Sequence, residues 1–194
     1  MGYREWRAKI RQYGEITDYG PICRRYFVIG AFDGALTILG LILGAFFAGA
    51  SEEQVPLIVA AGLSAAVALS MSSIAGAYEA ERVEKKIDQY RMERALLIKM
   101  SDEHLEAYRF AARISAVVHG IAPLIAAVIP LIPFYYTSDF FLGVITASVF
   151  GFSILFLIGI FLGRLVKETG LYTGLRFVLV GLATAAIVIL LGQA

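Results

Sequence analysis

Five long apolar stretches place the strongest constraint on what this chain can fold into. They are almost free of charge and cover residues 26–49, 55–78, 114–136, 140–163 and 171–192. Each has the roughly 20 residues that a helix needs to cross the hydrocarbon core of a bilayer. Inside lipid, a helix satisfies its backbone hydrogen bonds within its own segment. The sequence therefore predicts an all-α, polytopic membrane protein with five transmembrane helices.

The amino-acid composition excludes an ordinary water-soluble domain. Apolar residues make up 59% of the 194 residues and charged residues only 17%, whereas soluble domains carry about 25% charged residues. Protein alone cannot cover so much apolar surface, and lipid must be the solvent for most of it. The net charge of +1 gives no reason to expect a nucleic-acid partner. The single cysteine, Cys23, excludes a framework of internal disulfides.

The basic residues are confined to three segments at the ends of the apolar stretches. They precede the first stretch, separate the second from the third, and run from the end of the fourth into the start of the fifth. These segments hold all 17 Lys and Arg residues, while residues 50–54 and 137–139 carry acids and no base. Because basic loops stay on the cytoplasmic side of a membrane, we expect the N-terminus in the cytoplasm and the C-terminus outside.

Two segments outside the apolar stretches divide the chain into four parts. Residues 1–20 predict an amphipathic helix on the inner leaflet, since aromatic and aliphatic residues recur there at helical spacing among basic ones. Its apolar residues are Tyr3, Trp6, Ile10, Tyr13 and Ile16. Residues 21–78 hold the first two transmembrane helices, residues 79–113 a cytoplasmic helical hairpin, and residues 114–194 the other three. A membrane-anchoring belt is the plainer interpretation of the first helix, and a specific binding role is the alternative.

The hairpin prediction depends on the polarity of residues 79–113. They are too polar to span a membrane and too rich in helix-forming residues to be an irregular loop. We expect the second transmembrane helix to continue to about Met100 and a new helix to begin after Ser101. Ser101 suits an N-cap, and Asp102 and Glu103 suit the first turn, where acids meet the positive end of the helix dipole.

Asp33, Met71 and His119 lie inside apolar stretches and have side chains with metal or proton chemistry. A carboxylate within a transmembrane helix is costly and by default marks a functional site, and Asp33 lies roughly 12 Å beyond Arg25 along its helix. A hydrogen-bonded structural carboxyl is the alternative. Met71 lies at a similar depth before Glu79, and its thioether suits a soft transition metal, although such a residue alone usually serves packing. His119 could be a metal ligand, a proton relay or a structural contact.

The predicted hairpin carries acidic residues on both arms. They are Glu79, Glu81, Glu84 and Asp88 on the first arm and Glu103 and Glu106 on the second. Pairs of carboxylates on antiparallel helices can converge on divalent cations. Basic residues are interleaved with these acids, so solvated, ion-paired helix faces are the alternative, and pattern alone favours it.

Three pairs of glycines spaced four apart permit close helix packing, within one chain or between two. The pairs are Gly30/Gly34, Gly40/Gly44 and Gly159/Gly163. The sequence contains no phosphate-binding loop, nucleophile elbow, Cys-x-x-Cys pair or zinc-protease motif. We therefore expect neither an enzyme nor a prosthetic group.

The run IGAFDGALT at residues 29–37, with Asp33 at its centre, resembles the opening span of the vacuolar iron transporter family. Residues 70–71 and 76–78 are similar to that family's second span. Further similarities follow in order at residues 131–133, 159–163, 174–176 and 181–183. The resemblance covers about residues 20–193, and the number and orientation of the spans agree with it.

The resemblance implies a homodimeric transporter that moves ferrous iron or manganese out of the cytosol in exchange for protons, with a pathway between the first two spans. It makes Asp33 the intramembrane, proton-coupled ligand, Met71 the soft ligand, and the hairpin acids the groups that collect metal. Two registers fit the second span. Aligned on Tyr78, the family's methionine position falls at Ser73 and its glutamate becomes Ala77, whereas a shift of two residues restores Met71.

The sequence thus predicts an integral, multi-pass antiporter whose transported ion is Fe²⁺ or Mn²⁺. The short single-domain form favours a prokaryotic cell membrane. The alternative is a non-transporting membrane scaffold or sensor that uses the hairpin as a docking arm. That alternative predicts that changing Asp33 affects only stability, and that the hairpin binds protein and not metal.

Overall fold

The structure, a computed structural model, describes residues 3–192, with side chains described for residue 5 and residues 7–191. Between residues 3 and 192 every regular element is a helix, as the sequence predicts. The α-helices are α1 (Tyr3–Thr17), α2 (Tyr19–Phe47), α3 (Val55–Leu96), α4 (Asp102–Val128), α5 (Phe140–Leu165) and α6 (Gly170–Gly192). Two short 3₁₀ helices, Glu52–Gln54 and Ile129–Tyr135, precede α3 and follow α4.

Five helical segments are each long and apolar enough to cross a membrane, which agrees with the five predicted spans. They consist of α2, α3 with the 3₁₀ helix before it, α4 with the 3₁₀ helix after it, α5 and α6. One of their boundaries differs from the prediction. α3 ends at Leu96 and not near Met100, because Leu97 adopts a left-handed backbone conformation with φ 55°. The third span divides into α4 and a 3₁₀ helix, since Pro130 and Pro133 lack the N–H groups that an α-helix requires.

Two helix starts follow from their local sequences. The Asp139 carboxylate accepts hydrogen bonds at 2.9 and 3.2 Å from two backbone N–H groups in the first turn of α5, and so caps that helix. α4 begins at Asp102, as predicted, and the Ser101 carbonyl accepts a hydrogen bond from the N–H of Leu105. The Ser101 hydroxyl instead lies 2.8 Å from Nδ1 of His104.

The chain forms two compact units, and α2, α3 and α4 each contribute a segment to both. Unit 1 consists of the described residues of Met1–Phe27 and Met71–Gly120. Unit 2 consists of those of Val28–Ser70 and Ile121–Ala194. Most of the charged residues therefore belong to unit 1, and most of the apolar stretches belong to unit 2.

Glycines allow the helices of unit 2 to approach one another closely. A Cβ added to Gly34 on α2 would lie 2.7 Å from the Cα of Pro123 on α4. A Cβ added to Gly159 on α5 would lie 2.5 Å from the Cα of Gly174 on α6. Any side chain at these positions would force the two backbones apart. These two glycines therefore serve packing within one chain, one of the two roles that their spacing allowed.

In unit 1, α1 packs against α4. The buried Tyr13 ring lies 5.4 Å from the ring of Phe110, and the Tyr13 hydroxyl donates a hydrogen bond to Glu106 at 2.6 Å. The predicted amphipathic helix therefore uses part of its apolar face to contact protein. The side chains of Tyr3 and Trp6, two other members of that face, lie outside the described residues.

Candidate metal-transport site

Asp33 lies on the exposed side of α2. Gly34 and Ile38 belong to the buried face of this helix. Ile29, Asp33 and Thr37 recur every four residues and are exposed. Because α2 runs from Tyr19 to Phe47 without interruption, Asp33 lies well inside an apolar helix. The sequence predicted this position along the helix but not the direction in which the side chain points.

Met71 is also exposed, with 62% of its surface accessible. Ser73 is half-buried, and Ala77 is buried. The register through Met71 therefore places a sulfur atom on an uncovered surface of α3, while the register through Ser73 places a hydroxyl partly inside the fold. A ligand on an uncovered surface can reach an ion without any rearrangement of its own chain.

Small and weakly polar residues dominate the exposed surface along the apolar part of α3. They recur at intervals of three or four residues and so share one face, which we call the α3 open face. Its small members are Ala60, Ala61, Ser64, Ala68, Ser72, Ala75 and Gly76. Leu57, Val67 and Met71 are its larger members. Small residues are typical of surfaces where two transmembrane helices approach closely.

Glu81, one of the predicted metal-collecting acids, is buried and ion-paired. Only 5% of its surface is accessible, and its carboxylate lies 3.6 Å from the Arg25 guanidinium on α2. Removal of one partner from a buried ion pair is strongly destabilising. In this conformation Glu81 therefore holds α3 and α2 together within unit 1, and it could bind a metal ion only after exchanging Arg25 for that ion.

Glu103 and Glu106 on α4 contact α1. Glu103 accepts a hydrogen bond from the Gln12 amide. Glu106 accepts one from the Tyr13 hydroxyl at 2.6 Å and pairs with Lys9 at 3.0 Å. The adjacent Tyr13 hydroxyl and Glu106 carboxylate raise the pKa of the Lys9 ammonium. The sequence contained a signal for this contact. Lys9 and Gln12 are three residues apart on α1, as Glu103 and Glu106 are on α4, so two antiparallel helices can bring the two pairs together.

The remaining predicted acids do not converge on one point. Glu79 pairs with Arg82 at 2.8 Å, Asp88 pairs with Arg91 at 3.6 Å, and Glu84 is exposed. Among the residues that the structure describes, no three His, Cys, Asp or Glu side chains form a group that could hold a metal ion. Within a single chain, most of the six predicted acids form ion pairs with basic residues, which is the alternative that the sequence pattern favoured. Metal collection by these acids stays a prediction.

His119 makes a structural contact on α4. Its Nδ1 lies 3.0 Å from the Tyr26 carbonyl oxygen, and the two rings lie 4.9 Å apart. If Nδ1 carries the proton and donates it to this carbonyl, Nε2 of the neutral imidazole is an acceptor. The structural contact is thus present, and a role of His119 in proton transfer stays a prediction.

A groove between α3 and α4 in unit 1 has a volume of about 540 Å³. Half of its lining residues are basic: Arg82, Lys85, Lys86, Arg109 and Arg113. We call this the basic groove. Its positive charge disfavours the binding of a divalent cation. The sequence offered a partial signal for this groove, since Arg82, Lys85 and Lys86 share one side of α3. It did not predict which residues of α4 would form the other wall.

Comparison with known proteins decides the family. The model of the VIT family matches residues 24–107 and 91–193. The chain belongs to the VIT family. The resemblance noted in its motifs is thereby confirmed, and the first matched region contains Asp33, Met71 and all of the predicted hairpin acids. An uncharacterized protein from Methanocaldococcus jannaschii is 31% identical over 175 residues, which is 88% of each chain.

Membership of the VIT family bears directly on activity. It indicates a membrane transporter of metal ions and not an enzyme. The five helices able to span a membrane agree with a multi-pass membrane protein.

Proposed function

We propose that this VIT family protein exports ferrous iron or manganese from the cytosol in exchange for protons. The exposure of Asp33 on an apolar helix is the observation that carries the proposal. A charged carboxylate that faces lipid costs roughly 3 kcal/mol or more, so such a residue indicates a surface that water or a second protein covers. Its oxygens can bind a divalent cation, and a proton can replace that cation.

Proton exchange at Asp33 would couple the two ions. The charged carboxylate attracts Fe²⁺ or Mn²⁺, and protonation removes that attraction. A higher proton concentration outside would therefore favour metal binding on the cytosolic side and metal release on the outer side. His119 remains the proposed proton relay, because Nε2 can accept a proton while Nδ1 keeps its contact with Tyr26.

Met71 would supply selectivity among divalent ions. Its thioether is a soft ligand that suits a transition metal such as Fe²⁺ better than Mg²⁺ or Ca²⁺, which prefer oxygen. The exposure of the side chain supports this role, since 62% of it is accessible to an ion or a partner.

A second copy of the chain is the proposed partner of the α3 open face. Two copies related by a two-fold axis would present the same surface to each other, and small residues on both would let the backbones approach. In such a homodimer the exposed acids Glu79 and Glu84 would be the first groups to collect metal. Glu81 and Glu106 would contribute only after release from Arg25 and Lys9.

The first experiment measures ion flux through purified protein in liposomes. Fe²⁺ or Mn²⁺ transport is followed under an imposed pH gradient, for the wild-type protein and for Asp33→Asn. We expect the wild type to transport metal only with the gradient, and Asp33→Asn to lose transport to background while remaining folded. Thr184→Val on α6 is the matched control, because it also replaces one polar group within an apolar helix, and it should transport normally.

Wild-type transport by Asp33→Asn would overturn the proposed coupling. Absence of flux from folded, correctly oriented wild-type protein would instead favour the second candidate function, a membrane scaffold. One feature supports that candidate: Leu96 at the end of α3, and Leu97 and Ile98 directly after it, are highly exposed, as a docking surface would be. The scaffold predicts that Leu97→Ser abolishes partner binding while Asp33→Asn leaves it unchanged.

A further inference from the structure

The basic groove combines positive charge with aromatic side chains. Tyr78 and Tyr108 line it beside the five basic residues, and the Lys85 ammonium lies 5.3 Å from the centre of the Tyr108 ring. Among the described residues that line the groove, none is acidic. Its volume of about 540 Å³ is within the range of small-molecule sites. These properties suit a ligand with a phosphate group and some apolar surface.

Three of the basic side chains are available to such a ligand. Arg82 pairs with Glu79 at 2.8 Å, and Arg109 lies near the Glu106 carboxylate. In the part of the chain that the structure describes, Lys85, Lys86 and Arg113 form no ion pair with a carboxylate. Lys85 and Lys86 instead lie over the rings of Tyr108 and Tyr90. All three cations are therefore open to a charged hydrogen-bond acceptor such as a phosphate.

The position of the groove along its helices indicates a lipid as the source of the phosphate. Tyr78 is the last residue of the uncharged part of α3, and Arg113 directly precedes the apolar part of α4. Arg82 follows Tyr78 by about 6 Å along the helix axis, which is roughly the thickness of one headgroup layer. The groove thus begins where the hydrocarbon ends, and long basic side chains can reach back to that layer.

We propose that the basic groove binds the phosphate-bearing headgroup of an anionic membrane lipid. Basic pockets between transmembrane helices on the cytoplasmic side of membranes bind such headgroups, and the distribution of Lys and Arg predicts that side for this groove. The lipid's phosphate would contact Lys85, Lys86 and Arg113, and its glycerol region would lie against Tyr78. The proposal does not depend on which ion the protein transports.

The test compares three forms of the full-length, detergent-solubilised protein by native mass spectrometry with mixed phosphatidylglycerol and phosphatidylcholine. The forms are the wild type, a groove variant (K85Q, K86Q, R113Q) and a control variant (K99Q, R164Q, K167Q) with the same charge change at exposed residues outside the groove. We expect the wild type to retain phosphatidylglycerol preferentially. The groove variant should bind it on the order of 100-fold more weakly, since each basic residue contributes about fivefold, and the control should change less than threefold.

Equal losses in the groove and control variants would overturn the proposal, because attraction would then follow net charge alone. A separate arm titrates inorganic pyrophosphate into wild-type protein that was first freed of native lipid and then loaded with phosphatidylglycerol. Displacement of phosphatidylglycerol only at millimolar pyrophosphate supports a lipid ligand. Micromolar pyrophosphate that excludes the lipid would overturn it in favour of a soluble phosphate compound. Because the groove variant retains its acid pairs, its circular dichroism and elution volume should match those of the wild type, and a failed fold would be visible there.

Discussion

α3 and α6 both leave much of their surface uncovered, but the two surfaces have different chemistry. The exposed surface of α6 consists mainly of large aliphatic side chains: Leu171, Leu175, Leu179, Val180, Leu182, Ile187, Leu190 and Leu191. The α3 open face consists mainly of alanine, serine and glycine. Flexible aliphatic side chains suit lipid acyl chains, whereas small residues gain only when another backbone comes close.

The comparison shows that exposure in a single chain does not distinguish lipid from protein. Hydropathy does not distinguish them either, because both helices are apolar enough to cross a membrane. The size of the exposed side chains differs between the two helices, and small residues favour a protein neighbour. We therefore expect α6 to face lipid and the α3 open face to be covered by a second copy of the chain.

The strongest test places the same large residue on each surface. Ala68→Phe on the α3 open face should weaken dimerisation at least tenfold, because a phenyl ring prevents close approach of two helices. Ala183→Phe on α6 should leave it unchanged, since lipid accommodates the ring. Mass measurement of the protein in detergent or nanodiscs over a concentration series distinguishes the two. Equal behaviour of both variants, or a monomeric wild type, would refute the assignment of the faces.

A smaller effect separates covered from uncovered glycines. Gly34→Ala should lower the free energy of unfolding by about 2 kcal/mol, because the new methyl group meets the Pro123 backbone. The melting temperature should fall by about 4–8 °C. Gly76→Ala on the α3 open face should not lower it, since no other part of the described chain lies within 4 Å of an added Cβ. Thermal unfolding followed by circular dichroism measures both, and equal destabilisation would contradict the packing described for α2.

The smallest expected effect concerns the ligand on the α3 open face. Met71→Leu keeps the apolar volume and removes the sulfur, so the apparent affinity for Fe²⁺ in the flux assay should fall by about tenfold, or 1.4 kcal/mol. Ser73→Ala should change it less than twofold. The reverse pattern would assign the ligand position to Ser73 and remove Met71 from the proposed pathway.

The sequence predicted the helices well because the membrane imposes a length that can be counted. Each span needs about 20 apolar residues, and all five appear at their expected places. The position of Asp33 within its helix followed from the same counting. The helix boundaries were less certain where single residues decide them, as Leu97 does through its left-handed backbone conformation.

The partners of the charged residues could not be predicted from local pattern. Tyr13 and Glu106 are separated by 93 residues, and Arg25 and Glu81 also belong to different helices. Each acid has several basic residues close to it in the sequence, so the sequence alone does not show which of them it pairs with. The packing of the helices determines the partner. The same limit hid the basic groove, because its two walls come from separate helices.

The contact between Gly34 and Pro123 has a consequence for how the carboxylate next to it can move. Because no side chain separates the two backbones there, a rotation of α2 about its long axis would bring side chains of α2 against the Pro123 backbone. We therefore expect Asp33 not to move by rotation of α2 alone. In a transport step that exposes it first to one side of the membrane and then to the other, α2 and the Pro123 region of α4 should move together.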